Sequence, residues 1–233
     1  MNEKLYIPMA IIFAGVLMAF GLYLAYSRAP HNATVVPNTS SSGNILTQAN
    51  GMKPITTADH ILGNPAAQVV IVEYSDTECP FCKDYFSSVQ KLMNTYPSGQ
   101  VAWVYRQFPI ASIHSRAPHE AEATECANEL GGPDAFWKYT SELYSETTSN
   151  DTFDPAGLPV IAQKIGLNVD DFTSCLNSGK YTAQISQDYT DALAAGAQGT
   201  PYTVLLTKDG TKLPIQGEES YDDLKASVDL LLK

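Results

Sequence analysis

The chain has 233 residues, 44% of them apolar, and a formal net charge of -11. That length accommodates one packed domain of roughly 180 residues plus an extension. So acidic a surface argues against nucleic acid or an anionic membrane face as the main partner. The four cysteines form an even set, so no thiol need be left over.

From Tyr6 to Tyr26 there is no charged residue, and Ile, Leu, Met, Phe, Ala and Gly dominate. At about 1.5 Å per residue, such a helix spans a hydrocarbon core of about 30 Å. Lys4 precedes the run, but Glu3 and Arg28 leave little asymmetry from which to read orientation. A signal peptide cleaved near Ala25 and Ser27 is the rival reading. The length of the run favours an uncleaved anchor over residues 1–28. Either way the rest of the chain is expected in an exported, oxidising place where disulfides persist. Residues 29–54 are rich in Pro, Ser, Thr, Asn and Gly and read as a linker. The domain is then expected over residues 55–233.

Within it, residues 68–74 read as a central strand, apolar on both faces. Residues 80–96 follow as a helix with Tyr85, Phe86, Val89, Leu92, Met93 and Tyr96 on one face. The segment VAWVYRQF, residues 101–108, is the next strand. A β-α-β start predicts a parallel pair with a right-handed crossover. Helices are then expected over 118–130, 134–145, 156–165, 170–177 and 181–195, a block that inserts at about 114–197. Strands return at 202–207 and 212–216 around an Asp209-Gly210 hairpin signal. Ser220 caps a last helix over 221–232. The fold class is α/β, a sheet interrupted by a helical insertion.

The chemistry lies in the stretch ECPFC. Cys79 ends a strand, and Pro80 opens a helix. Free amide groups and partial positive charge at a helix N-terminus stabilise a thiolate there. Cys82, one turn on, can attack a mixed disulfide from within the same molecule. A C-x-x-C on a β-α-β pattern thus points to thiol–disulfide exchange. A structural clip is a second reading. A four-cysteine metal site is a third, weakened because Cys126 and Cys175 lie far apart. Copper handling finds no Met-rich or His-rich cluster to accompany it. Cys126 and Cys175, on two insertion helices, are either buried thiols or a pair. His114 and His119 read as surface or cap residues at the start of an insertion helix. Trp103 and Tyr105 read as packing residues.

The segment DHILGNPAAQVVIVEYSDTECPFC, together with RQFPI, ATECANEL, FWKYTSELY, LNVDDFTSCLNSGKY and GTPYTVLL, resembles the DsbA-like thiol–disulfide oxidoreductases. These are exported thioredoxin-fold proteins with a helical insertion, and the likeness runs over about residues 57–233. It implies that Cys79 attacks and Cys82 resolves. It implies that Gly199-Thr200-Pro201 is a cis-proline loop against the redox pair, with Thr200, Pro201, Pro80 and Phe81 on the substrate-binding side. From the residues alone Thr200-Pro201 is equally an ordinary trans turn. Glu73 matches a buried acid that relays protons to the deeper cysteine; a strand-end carboxylate reaching solvent is the plainer reading. Similar positions to Cys126 and Cys175 are paired in some relatives, which favours a structural disulfide.

One departure stands out. Phe81 occupies the place where strongly oxidising members often carry His, so a cation or N–H donor is lost. Asp76 and Glu78 disfavour a thiolate nearby, and Lys83 favours it. The expected function is donation of the Cys79–Cys82 disulfide to folding exported polypeptides, without a cofactor. The family implies reoxidation by a membrane partner of the DsbB or VKOR kind. The alternatives are a tethered reductase or isomerase, and a non-enzymatic chaperone or metal carrier with a structural CPFC disulfide. The catalytic domain is expected outside the cytoplasmic membrane on a single-pass anchor, as a monomer.

Overall fold

The structure, a computed structural model, describes residues 49–97 and 99–233. The expected anchor, residues 1–28, and most of the expected linker lie outside the described residues. No helix among the described residues is long and apolar enough to cross a membrane. The packed chain begins before the expected boundary at residue 55. Ala49–Gly51 forms a 3-10 turn, and Ala49 and Met52 are buried. The Lys53 backbone N–H donates to Asp191 at 2.6 Å, and its ammonium pairs with Asp188 at 2.5 Å. Linker-like composition hides this, because two small apolar contacts and two carboxylates from a distant helix hold the segment.

Five strands and six helices follow: β1 (His60–Gly63), β2 (Val69–Ser75), α1 (Pro80–Met93), β3 (Val101–Gln107), α2 (Ala117–Glu146), α3 (Leu158–Lys164), α4 (Val169–Ser178), α5 (Thr182–Ala194), β4 (Tyr202–Thr207), β5 (Lys212–Gln216) and α6 (Tyr221–Leu231). They form one sheet in the order β1-β3-β2-β4-β5. β2 and β3 are parallel, as the β-α-β start predicts, and the other pairs are antiparallel. β2 lies in the centre and every one of its residues is buried, which accounts for its unbroken apolar run.

Alternation along β2 divides the core. Val69 and Ile71 face Phe86 and Val89 of α1 and Leu224 and Val228 of α6. Val70, Val72 and Tyr74 face the opposite layer, with Ala49, Ala192 and Ala195. Glu73 shares the parity of Val69 and Ile71, so the strand's two-residue period points its carboxyl toward α1. On the other face, fully buried Arg106 ties the sheet to its surroundings. It bonds Asp59 at 2.7 Å, Asp191 at 2.8 Å and the Tyr74 hydroxyl at 3.0 Å.

The helical insertion, α2 to α5, falls where the sequence predicts it. The two helices expected on either side of Gly131 are both present, and α2 spans the pair across a kink. Gly132 has φ 73° and ψ -171°, and Pro133 follows it. A glycine at positive φ lets the chain leave one helix and enter the next within a few residues. The insertion has its own core of Ala123, Tyr139, Leu143, Leu158, Ile161 and Phe172, and Cys126 and Cys175 are joined by a disulfide inside it. The edge strand β1 was not expected. With four residues, only one of them buried, it carries no period long enough to read.

Candidate active site

Cys79 is the residue before the first turn of α1, in extended conformation (φ -80°, ψ 122°), with Pro80 at the first helical position. Proline is suited there because that N–H has no partner inside the helix. The Asp76 carbonyl accepts the Cys79 N–H at 3.1 Å, which folds the end of β2 into the start of α1. Cys79 and Cys82 are unjoined in this structure. Both are buried, but unequally: Cys79 keeps 4% of its surface exposed and Cys82 none. Cys79, the attacking cysteine by resemblance, is the more open of the two. Cover comes from the loop before β4, where Thr200-Pro201 is a cis peptide and the Cys79 thiol donates to the Thr200 carbonyl at 3.5 Å. Phe81, by contrast, is 59% exposed beside the pair.

The two thiols have opposite acidities. The Cys82 thiol is the largest influence on Cys79 and donates to its sulfur. Burial opposes this, and the Thr200 side chain and the Cys82 and Phe81 backbone N–H groups add to it. Together they bring Cys79 down to about 6. Burial, followed by the charge of Cys79 and then Glu73, pushes Cys82 well above the ordinary thiol range. One sulfur is thereby suited to carry charge and the other to hold a proton.

Glu73 is fully buried, which removes the reading of a carboxylate reaching solvent. The Trp103 indole N–H donates to its Oε2 at 2.9 Å. Burial outweighs the Ser75 and Trp103 hydrogen bonds and raises Glu73 to about 7. A carboxyl poised there can both give and take a proton near neutral pH. Trp103 was expected to pack, and it does, against Phe86 and Trp137. Its bond to Glu73 is legible only once the parallel β2–β3 pairing puts both side chains on one face.

A second acidic layer surrounds the start of α1. Asp76, Glu78 and Glu120 are all buried. Asp76 Oδ1 accepts the Glu78 N–H at 2.9 Å, and Oδ2 accepts the Ile110 N–H at 2.7 Å. Glu78 accepts the Asp151 N–H at 2.7 Å. Burial and the neighbouring Glu78 raise Glu120 to about 9, so it is uncharged at neutral pH. Lys83 donates to the Thr147 carbonyl at 2.6 Å. His119 is exposed, as expected of a surface residue. His114 is not: it is buried, and Nδ1 lies 2.9 Å from Asp76 Oδ2. The expectation of a surface or cap role for His114 is corrected, because the turn between β3 and α2 folds its ring onto the Asp76 carboxylate.

The structure therefore gathers Glu73, Cys79, Pro80, Phe81, Cys82, Thr200 and Pro201 at one corner of the sheet. It joins Cys126 and Cys175 to each other within the helical insertion. The family model described as Thioredoxin matches residues 56–229. The fold is similar to Pseudomonas aeruginosa DsbA2, with 26% identity and a TM-score of 0.65 over 77% of this chain and 97% of that one. It is also similar to oxidised Bacillus subtilis BdbD, at 20% identity and a TM-score of 0.67 over 78% of this chain and 96% of that one, a likeness of fold alone. Among curated proteins, the chain is 35% identical over 143 residues to the Na(+)/H(+) antiporter NhaA 3 of Salinispora tropica, which is 61% of this chain and 21% of that protein. The chain thus spans about a fifth of the length of the curated relatives it matches. By the matched model, the sheet with its helical insertion and the Cys-Pro-Phe-Cys turn, the chain belongs to this thioredoxin family and is a DsbA-like thiol–disulfide oxidoreductase.

Proposed function

We propose that the protein donates the Cys79–Cys82 disulfide to exported polypeptides from a membrane anchor formed by residues 1–28. The observation that carries the direction is the asymmetry of the pair, a Cys79 thiol at about 6 beside a Cys82 thiol pushed far up. A substrate thiolate attacks the Cys79 sulfur, and the bond to Cys82 breaks. Cys82 leaves as a thiolate and takes a proton from Glu73. A second substrate thiolate attacks the substrate sulfur of the mixed disulfide and expels Cys79 as its stabilised thiolate. The substrate gains one disulfide, and the enzyme is left with two reduced cysteines. A low leaving-group pKa speeds that last step and stabilises the reduced enzyme, which makes its disulfide oxidising. Thr200, Pro201, Pro80 and exposed Phe81 form the surface on which a substrate segment would lie.

Reoxidation falls to a membrane partner of the DsbB or VKOR kind, by analogy with the family. The anchor rests on the uncharged run from Tyr6 to Tyr26. Its test is retention of the native protein in the membrane fraction after carbonate washing, with its own N-terminus. The matched segment is a minor part of the antiporters, and ion transport is no part of this proposal. A reductase or isomerase is the second reading, favoured by Phe81, which brings no charge to the motif. The reduction potential of the full-length protein, equilibrated with glutathione, separates the two. A value well above that of thioredoxin, about -270 mV, is expected; a value at or below it supports the reductase.

A further inference from the structure

The CPFC turn carries no cation between its cysteines, and the nearby Lys83 ammonium is turned onto the Thr147 carbonyl. Another part of the chain brings a histidine into the site instead. The ring of His114 is 5% exposed and sits 2.9 Å from Asp76 Oδ2. The Asp76 carboxylate already accepts the backbone N–H groups of Glu78 and Ile110, and its own carbonyl holds the Cys79 N–H. One residue thus fixes both the start of α1 and the imidazole beside it. The His114 backbone N–H in turn donates to the Ile110 carbonyl at 2.9 Å, which fixes the turn that carries the ring.

A buried carboxylate bonded only by neutral N–H groups favours a cation as its third partner. Burial opposes charge on His114. The hydrogen bond and charge of Asp76, the charge of Cys79 and the Asn150 side chain outweigh it and raise the imidazole above its ordinary value. The other charged groups around the ring do not replace it. Glu78 is bonded to the Asp151 N–H, and Glu120 is neutral at pH 7. Arg116 is directed to the Phe153 carbonyl. Asp151 lies in the loop after α2 as a carboxylate and adds negative charge that favours the imidazolium.

We propose that His114, held as an imidazolium by Asp76, is the positioning cation that stabilises the Cys79 thiolate during exchange. No bond to His114 forms or breaks; it keeps its proton while Cys79 gains and loses negative charge. The inference rests on Cys79 being the exchanging cysteine, as proposed above. Because the interaction is mutual, ionising Cys79 must raise the His114 pKa by as much as protonating His114 lowers that of Cys79.

The wild-type full-length protein provides the first test, by NMR titration of the His114 ring in the oxidised and reduced forms. The expected result is a higher His114 pKa in the reduced form, where the thiolate exists. Equal values in the two forms would overturn the proposal, whatever the role of Cys79. The second test is His114→Gln, which keeps a donor for Asp76 without the charge. The alkylation profile of Cys79, followed by peptide mapping, should move to higher pH, its ionisation constant falling about tenfold. An unmoved profile in a folded His114→Gln protein would reduce His114 to a structural residue. A wild-type Cys79 with an ordinary pKa would instead strike at the proposed function itself.

Discussion

The two cysteine pairs of this chain show how surroundings decide what the same side chain does. Cys126 and Cys175 lie on α2 and α4, in a core of Ala123, Tyr139, Leu143 and Phe172, and are bonded to each other. Cys79 and Cys82 lie at the start of α1 and are unjoined. Around them are helix amides, the Thr200 carbonyl and a buried carboxyl. The insertion pair closes a long loop and needs nothing from its neighbours except exclusion of water. The α1 pair needs one sulfur to be acidic and the other to stay protonated, and the Cys82 thiol, the helix amides and burial of Cys82 produce that difference. The first pair acts on the folding equilibrium and the second on an exchange equilibrium.

Substitutions should separate the two roles. The largest expected effect is Cys79→Ser, which abolishes exchange, while Cys82→Ser accumulates mixed disulfides with client proteins through Cys79. Non-reducing gels and peptide mapping check both. Next, replacing Cys126 and Cys175 together by Ala opens a loop with a sequence separation of 49. Loop-closure entropy sets the loss at up to roughly 4 kcal/mol, read from denaturant unfolding, with exchange still measurable in the folded fraction. Alkylation of both residues in the unreduced native protein would remove the pairing.

Glu73→Gln comes third. Gln keeps the shape and the Trp103 hydrogen bond but cannot shuttle a proton. Single-turnover exchange should slow by up to about 100-fold, with unchanged circular dichroism. The smallest effect is on stability against pH. The Cys79 pKa in the folded reduced protein, about 6, lies below the unfolded value of about 8.5. The stability it contributes is fully present above the unfolded value and is lost as pH falls through about 6. The advantage of the reduced over the oxidised form should therefore grow from pH 6 to pH 8. The insertion disulfide, which does not titrate, should add no such slope.

Features written locally were legible in the sequence. The buried strand of β2, the proline at the first turn of α1 and the Asp209-Gly210 hairpin each depend on residues close together in the chain. The Cys79 and Cys82 chemistry was legible for the same reason. The pairing of Cys126 with Cys175 and the placement of Thr200-Pro201 came through resemblance, since contact between distant segments leaves no local pattern. His114 reads in the sequence as a surface or cap residue, and it is buried. Its burial depends on the turn after β3 folding back onto Asp76, a residue that in the sequence only counts as a charge unfavourable to a thiolate. Residues 49–54 looked like linker because composition does not reveal that Asp188 and Asp191 of α5 are waiting for Lys53. The break between the helices at 118–130 and 134–145 was legible, because the Gly131-Gly132-Pro133 signals are local, and the backbone does leave the helical region at Gly132.

The most direct test is the titration of Cys79 in the reduced full-length protein, by ultraviolet thiolate absorbance and by alkylation mapped to the residue. The account predicts ionisation centred near 6 at Cys79, with Cys82 still protonated well above that. Both cysteines ionising together near the unperturbed value of about 8.5 would contradict it.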